Sequence, residues 1–143
     1  LDDLDRSIIT ILKTDARMSL STLARKVKIA RSTLQARIER LESSGIIAGY
    51  TITLGKGADP NPLRASLLIS IDPRAQGSVL QKLKSIPQIE KVFTTSGRID
   101  LLVQLACPDT QSLDHVLDQI DATPGIRSSE SLIHLSTRLD RIQ

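Results

Sequence analysis

A chain of 143 residues with 40% hydrophobic and 24% charged side chains and a formal charge of +3 has room for one domain or two small ones, with the make-up of a soluble globular protein. Its longest apolar runs, such as Leu101-Leu102-Val103, are too short to cross a bilayer, and its opening residues lack the charged-then-apolar pattern of a signal peptide. One Phe, one Tyr and no Trp leave the core to Ile, Leu and Val, and the lone Cys107 excludes an internal disulfide and fits a reducing compartment.

The first segment reads as a helix. Asp2 or Asp3 caps it, and Leu4, Ile8, Ile11 and Leu12 form one buried face. Asp2, Asp3 and Asp5 sit at its positive end, and it should stop near Thr14-Asp15. A second, short helix is expected from about Ser21 to Val27, capped by Ser19 or Ser21, with Leu23, Ala24 and Val27 inward. Lys28-Ile29-Ala30 then makes a turn, with Ile29 plugging the angle. A third helix runs from about Arg31 to Ser44 on a stripe of Leu34, Ile38 and Leu41. Gly45 ends it, and Ile46 packs back on its last turn.

Two short helices joined by a three-residue turn make a helix-turn-helix, and at 1.5 Å per residue the third helix is roughly 21 Å long, enough to lie in a major groove. Residues 1–56 hold ten Lys/Arg against six Asp/Glu, and between Arg25 and Arg40 six basic residues face one acidic residue, Glu39. Such a patch is a candidate phosphate surface, although charge alone reads equally well as a solvated helical face. Arg25, Lys26 and Lys28 suit phosphates. Arg31, Ser32, Thr33, Gln35 and Arg37 lie on or beside the N-terminal part of the third helix, which a helix-turn-helix presents to base edges, and Arg40 further back suits a phosphate. The partner implied is double-stranded DNA.

Tyr50-Thr51-Ile52-Thr53 is rich in strand formers and is expected as a wing or lead-out strand. Two Gly, two Pro, an Asp and an Asn between Gly55 and Pro62 mark a linker. The expected domains are therefore 1–54, a linker 55–64, and 65–143.

The second half carries a weak internal repeat. A strand, Ser66–Ile71, ends at Asp72-Pro73, and a helix follows with Val79, Leu80, Leu83 and Ile86 inward. It stops at Pro87, and Ile89 opens a strand. A strand, Ile99–Ala106, ends at Cys107-Pro108, and a helix follows with Leu113, Val116, Leu117 and Ile120 inward. It stops at Pro124-Gly125, and Ile126 opens the last strand. Two β-α-β units in series predict the ferredoxin-like βαββαβ arrangement, with helices on one sheet face. Leu68 and Leu102 leave the other face partly apolar, which points to a sheet-to-sheet dimer.

The stretches LDDLDRSIITILKTDARMSLSTLARKV, STLQARIERLESSGIIAGYT and TSGRIDLL together resemble the leucine-responsive/asparagine-regulator (Lrp/AsnC) transcription factors, over essentially the whole chain. The resemblance implies an α+β protein: an N-terminal winged helix-turn-helix, a hinge, and a C-terminal ferredoxin-like effector domain called RAM. It implies dimers that assemble further, commonly into octamers as tetramers of dimers. It also implies an amino-acid effector held between subunits, no other cofactor, and action in a prokaryotic-type cytoplasm at the nucleoid. Two residues depart from the family pattern. Lys28 stands where the turn usually has Gly, although a left-handed conformation costs more for Lys. Ala30, a poor cap, stands where Ser is common, leaving Ser32 to cap a helix starting two residues later.

Gly97 opens a tight turn whose amides can hold a carboxylate. Arg98 adds positive charge, and Asp100 can hold an ammonium group, so the loop suits an amino acid as well as it suits a plain hairpin. By family position, Leu132 and His134 line the same region, beside Thr94 and Ser96. His134 is otherwise a strand histidine whose charge changes near neutrality.

Two other functions compete. The two-domain plan is similar to that of sirohaem decarboxylases, but two His (His115 and His134) and one Tyr are a thin supply of porphyrin-facing groups. An architectural, chromatin-like protein would bind DNA without any effector. No nucleophile-base motif, metal-ligand cluster or phosphate loop is present, so no enzyme activity is expected.

Overall fold

A computed structural model describes residues 1–141, and the last two positions of the domain expected over 65–143 lie outside them. Helix α1 (Asp3–Thr14) begins with both halves of a capping box: the Asp2 carboxylate accepts the Asp5 N–H at 2.8 Å, and the Asp5 carboxylate accepts the Asp2 N–H at 3.5 Å. Helix α2 (Leu20–Val27) is capped by the Ser19 hydroxyl, which accepts the Thr22 N–H at 3.1 Å. Lys28 then takes the left-handed conformation, φ 59° and ψ 47°, so the turn keeps its geometry without the glycine that would adopt it freely.

Helix α3 (Arg31–Ser43) starts directly after Ala30, which supplies no side-chain cap. Ser32 is therefore inside the first turn and is not the alternative cap. Leu34 and Leu41 are fully buried with Ile8, Leu23 and Ala24, and Ile38 is partly buried beside them. Gly45, at φ +81°, reverses the chain. The Ile47 N–H donates to the Leu41 carbonyl at 2.9 Å, which brings Ile47 onto the core and leaves Ile46 47% exposed. The residue that packs back is thus one position later than expected.

The expected wing strand is not formed. Residues 51–55 join no ladder, and Tyr50, Ile52 and Leu54 are exposed. Strand-forming side chains alone do not make a strand, because the backbone N–H and C=O groups need a paired edge.

The chain divides into two units, the first Leu1–Ile52 and the second beginning at Thr53. In the second, β1 (Leu63–Ile71), β2 (Ile89–Thr94), β3 (Leu101–Cys107) and β4 (Ile126–Ile133) form one antiparallel sheet in the order β2-β3-β1-β4. Helices α4 (Gln76–Lys84) and α5 (Thr110–Asp121) follow β1 and β3. This is the ferredoxin-like arrangement. Ala65, Leu67, Ile69 and Ile71 of β1 and Leu101, Val103, Leu105 and Cys107 of β3 form a core with Val79, Leu83, Val116 and Ile120 of the helices. Alternation along β1 fixes the sheet's two faces.

On the far face, Leu68 pairs with Leu102, which pairs with Phe93. Strand β4 is exposed throughout after Ile126. The stretch expected as a linker carries a short 3₁₀ turn, Lys56–Ala58, and gives its last two residues to β1. Arg64 ties it to the sheet, donating to the Asp59 carboxylate at 2.6 Å and lying 3.6 Å from Glu90.

Candidate nucleic-acid interface and effector loop

The N-terminal half of α3 presents Arg31, Ser32, Thr33 and Gln35, all exposed, on the sides left free by Leu34 and Leu41. Gln35 Nε2 lies 3.4 Å from Glu39 Oε1, an exposed contact that water or a base edge can replace. Arg25 is exposed on α2 and reaches Thr22 Oγ1 at 3.3 Å. Lys26 and Lys28 rim an open groove between α2 and α1 that Asp3, Arg6 and Thr10 also line. These seven residues form a continuous run of donors along α2, the turn and the start of α3.

Arg37 and Arg40 are differently placed. Arg37 Nη1 donates to Asp2 Oδ2 at 2.6 Å and to Asp5 Oδ1 at 3.1 Å, and Arg40 Nη2 donates to Asp5 Oδ2 at 3.3 Å. The Asp5 side chain is 4% exposed, that of Arg37 25%, and that of Arg40 63%. The hydrogen bond from Arg37, with a second from the Asp5 N–H, holds the Asp2 carboxyl at about 2, and the same carboxylates raise the Arg37 guanidinium above its ordinary value.

Arg37, expected beside Arg31 and Gln35 among the residues presented to base edges, is turned toward α1 instead. At about 100° per residue it lies only about 60° from Leu34, on the flank that meets α1. Sequence reasoning missed Asp2 and Asp5 as its partners. The signal was available: Asp5 falls one position after Leu4 and three before Ile8, inside the apolar face, where a carboxylate needs a cation.

The second candidate site is the loop between β2 and β3. Gly97 has φ +119°, and no atom lies within 4 Å of where a side chain would start. The loop is stitched internally and to β1. Thr95 Oγ1 donates to the Ile99 carbonyl at 2.7 Å, the Asp100 N–H to the Ile69 carbonyl at 2.9 Å, and the Ile71 N–H to the Asp100 carboxylate at 2.8 Å. One oxygen of Asp100 is therefore already used by the fold. Arg98 lies 3.9 Å from Glu130 of β4, a partner that was not anticipated. Thr94 and Ser96 are exposed beside the turn.

Leu132 and His134 are elsewhere. Leu132 pairs with Ser66, the His134 N–H donates to the Arg64 carbonyl, and His134 Nε2 lies 2.8 Å from Ser66 Oγ. The loop meets β1 at Ile69, three residues from Ser66 and five from Arg64, or roughly 10 and 17 Å along the strand. Strands β2 and β4 also occupy opposite edges of the sheet. One chain thus brings together Thr94, Ser96, Gly97, Arg98 and Asp100, with Leu132 two residues along β4 from the Glu130 that Arg98 approaches and His134 further off beside Arg64.

Comparison with known proteins matches residues 1–42 to the AsnC-type helix-turn-helix domain and residues 64–143 to the Lrp/AsnC ligand binding domain. The chain belongs to the Lrp/AsnC family. Among Lrp/AsnC relatives, the HTH-type transcriptional regulator FL11 of Pyrococcus furiosus is 30% identical over 94% of this chain and 89% of its own length. The structure of Escherichia coli AsnC superposes with a TM-score of 0.89 at 26% identity, covering 100% of this chain and 97% of that one. A feast or famine regulatory protein from Mycobacterium tuberculosis, solved in complex with L-methionine, superposes with a TM-score of 0.84 at 29% identity, with coverage of 100% and 97%. Membership of the Lrp/AsnC family makes this a DNA-binding transcription regulator. Among the described residues no helix is long and apolar enough to cross a membrane.

Proposed function

We propose that this regulator reads double-stranded DNA through Arg31, Ser32, Thr33 and Gln35 of α3, gripped on the phosphates by Arg25, Lys26 and Lys28, and that an amino acid bound at the Gly97 loop changes its hold on DNA. The observation that carries the DNA reading is the exposed half of α3 just after the left-handed turn at Lys28, where the Gln35–Glu39 contact is itself exposed and replaceable. A guanidinium takes guanine bidentately and a carboxamide takes adenine, so Arg31 and Gln35 supply base-reading chemistry. Arg40, still largely exposed, has donors left for a phosphate.

Support for an amino-acid effector comes from the loop's chemistry and from the relative solved with L-methionine. The turn at Gly97 offers amides and Arg98 offers charge to a carboxylate. The free oxygen of Asp100 is available to an ammonium group. Leu132 and His134 join this site from a second copy, since in its own chain His134 is held beside Arg64, five strand positions from where the loop meets β1. The working form is a homodimer that assembles further, acting at the nucleoid of a prokaryotic-type cytoplasm.

Fluorescence anisotropy with promoter DNA tests the DNA reading. Arg31→Ala should weaken binding about tenfold, and removing Lys26 or Lys28 should lower the slope of log affinity against log salt by about 1 each. Folded variants with unchanged affinity and unchanged slope would overturn it. For the effector, L-methionine and the other amino acids are added to the same assay and to a thermal-shift series. Absence of any shift with all of them would remove the sensing role.

A further inference from the structure

We infer that Asp5 is the positioning residue of the recognition helix: its buried carboxylate divides its two oxygens between Arg37 and Arg40 and so sets which side of α3 faces the bases. The inference rests on the reading of α3 as the DNA-reading element and gives it a mechanism.

The apolar packing of α3 is thin. Only Leu34 and Leu41 are fully buried, seven residues and about two turns apart on one line. With Ile38, partly buried about 40° to one side of Leu34, they make a narrow apolar stripe that resists rotation of the helix weakly. Arg37 and Arg40 lie on one flank of it, about 60° and 120° from Leu34, and both are drawn to the same acceptor. Two guanidinium contacts on one side act as a lever against rotation, and the opposite flank has no matching pair among the charged contacts of α3.

The acceptor is itself fixed. Asp5 sits in the first turn of α1, its N–H held by Asp2 and its own carboxylate closing the capping box. It is the one charged residue among the buried residues of the first unit. One cation is enough to neutralise a buried carboxylate. This one engages two on the helix that meets DNA, and Asp2 adds a second hold on Arg37. A neutral amide replaces one of the two acceptor oxygens with an NH₂ donor and carries no charge, so it cannot hold one arginine on each oxygen as Asp5 does. A lysine in place of Arg37 keeps the charge but ends one atom short of Nη1, the single nitrogen that donates to both Asp2 and Asp5.

Two affinities decide the matter: one for a DNA sequence selected by the wild-type chain from random oligonucleotides, the other for random DNA of equal length at the same salt. Asp5→Asn should cut the ratio of the two by about tenfold or more, the scale of one misaligned base contact. Affinity for random DNA should hold or rise, because a negative charge has been removed. Simple loss of folded protein would lower both affinities together and leave the ratio alone. Arg37→Lys should also lower the ratio, and it decides the question if Asp5→Asn fails to fold by circular dichroism. A folded Arg37→Lys variant with the wild-type ratio would overturn the inference. Arg31→Ala is run alongside: if it too changes nothing, the reading of α3 has failed, whereas a tenfold loss there with no change in the other two variants condemns the role of Asp5 alone.

Discussion

The Asp100 carboxylate accepts the Ile71 backbone N–H at 2.8 Å, at the point where the register between β1 and β4 shifts after Ser70. The β1–β3 ladder ends at the Ile69–Leu101 pair, so the Ile71 N–H, two residues on along the same edge of β1, has no strand partner and Asp100 satisfies it from the adjoining loop. The same residue donates its own N–H to Ile69, so the Gly97 loop and the end of β1 move as one piece. Asp100→Ala should cost about 1–3 kcal/mol by leaving that donor unmet, while Asp100→Asn, which keeps an acceptor, should cost less. Hydrogen exchange at the Ile71 amide checks this: it should speed up in the alanine variant far more than exchange at Leu67.

The Asp2 carboxyl provides an acid-sensitive tie. Arg37 holds it at about 2, below an ordinary 3.8. A depressed carboxylate stabilises the folded form fully above the ordinary value, and its contribution fades as pH falls through the depressed one. The link between α1 and α3 should therefore survive at pH 4 and loosen toward pH 2. Carboxyl-carbon NMR titration of Asp2 should return to near the ordinary value in Arg37→Gln, and an unchanged titration would show that the pairing is not made in solution.

Lys28 and Ala30 are both costly for the turn they occupy. Lys28→Gly should stabilise the first unit by up to about 1 kcal/mol by relieving the left-handed conformation. It should also weaken DNA binding, because the ammonium is lost. Ala30→Ser should stabilise by about 1 kcal/mol through a new cap on α3. Denaturant midpoints measured beside DNA affinities separate the two effects, and Lys28→Gly should move them in opposite directions.

Gly125 and Gly97 make a matched pair. Both have positive φ, but a Cβ on Gly125 would meet Ala75 Cβ at 2.3 Å, whereas one on Gly97 meets nothing. Gly97→Ala should cost only backbone strain, about 1–3 kcal/mol, and Gly125→Ala that plus overpacking of a further 1–3 kcal/mol or about that. Thermal unfolding of the two variants should rank them in that order.

What could be read from the sequence was whatever repeats locally. The stripes of α1 to α3, the stop at Gly45 and the proline-bounded strands each depend on neighbours within a turn or two, and the left-handed turn at Lys28 was legible only through the family pattern. Residues whose role is set across the fold were not readable in that way. Asp5 looked like a helix-dipole charge until α3 was laid beside it. Ile46 and Ile47 differ only in which of them follows the Gly45 reversal inward. Tyr50–Thr53 has the side chains of a strand and is not assigned to one. His134 shares a family position with the Gly97 loop, yet the strand order sends it to the other edge. The placement of Leu132 and His134 needed sheet topology, and that of Arg37 needed a helical wheel read together with its acid partner.

Tyr50 follows α3 in the exposed stretch, 53% open to solvent, with burial and the Glu42 charge raising its phenol above the ordinary value. It is the single tyrosine of a chain without tryptophan. Ultraviolet absorbance and emission therefore come almost wholly from one ring near the junction of the two units, and both aliphatic cores are optically silent. Any change in that emission when DNA or an amino acid is added reports on this junction, with no introduced label.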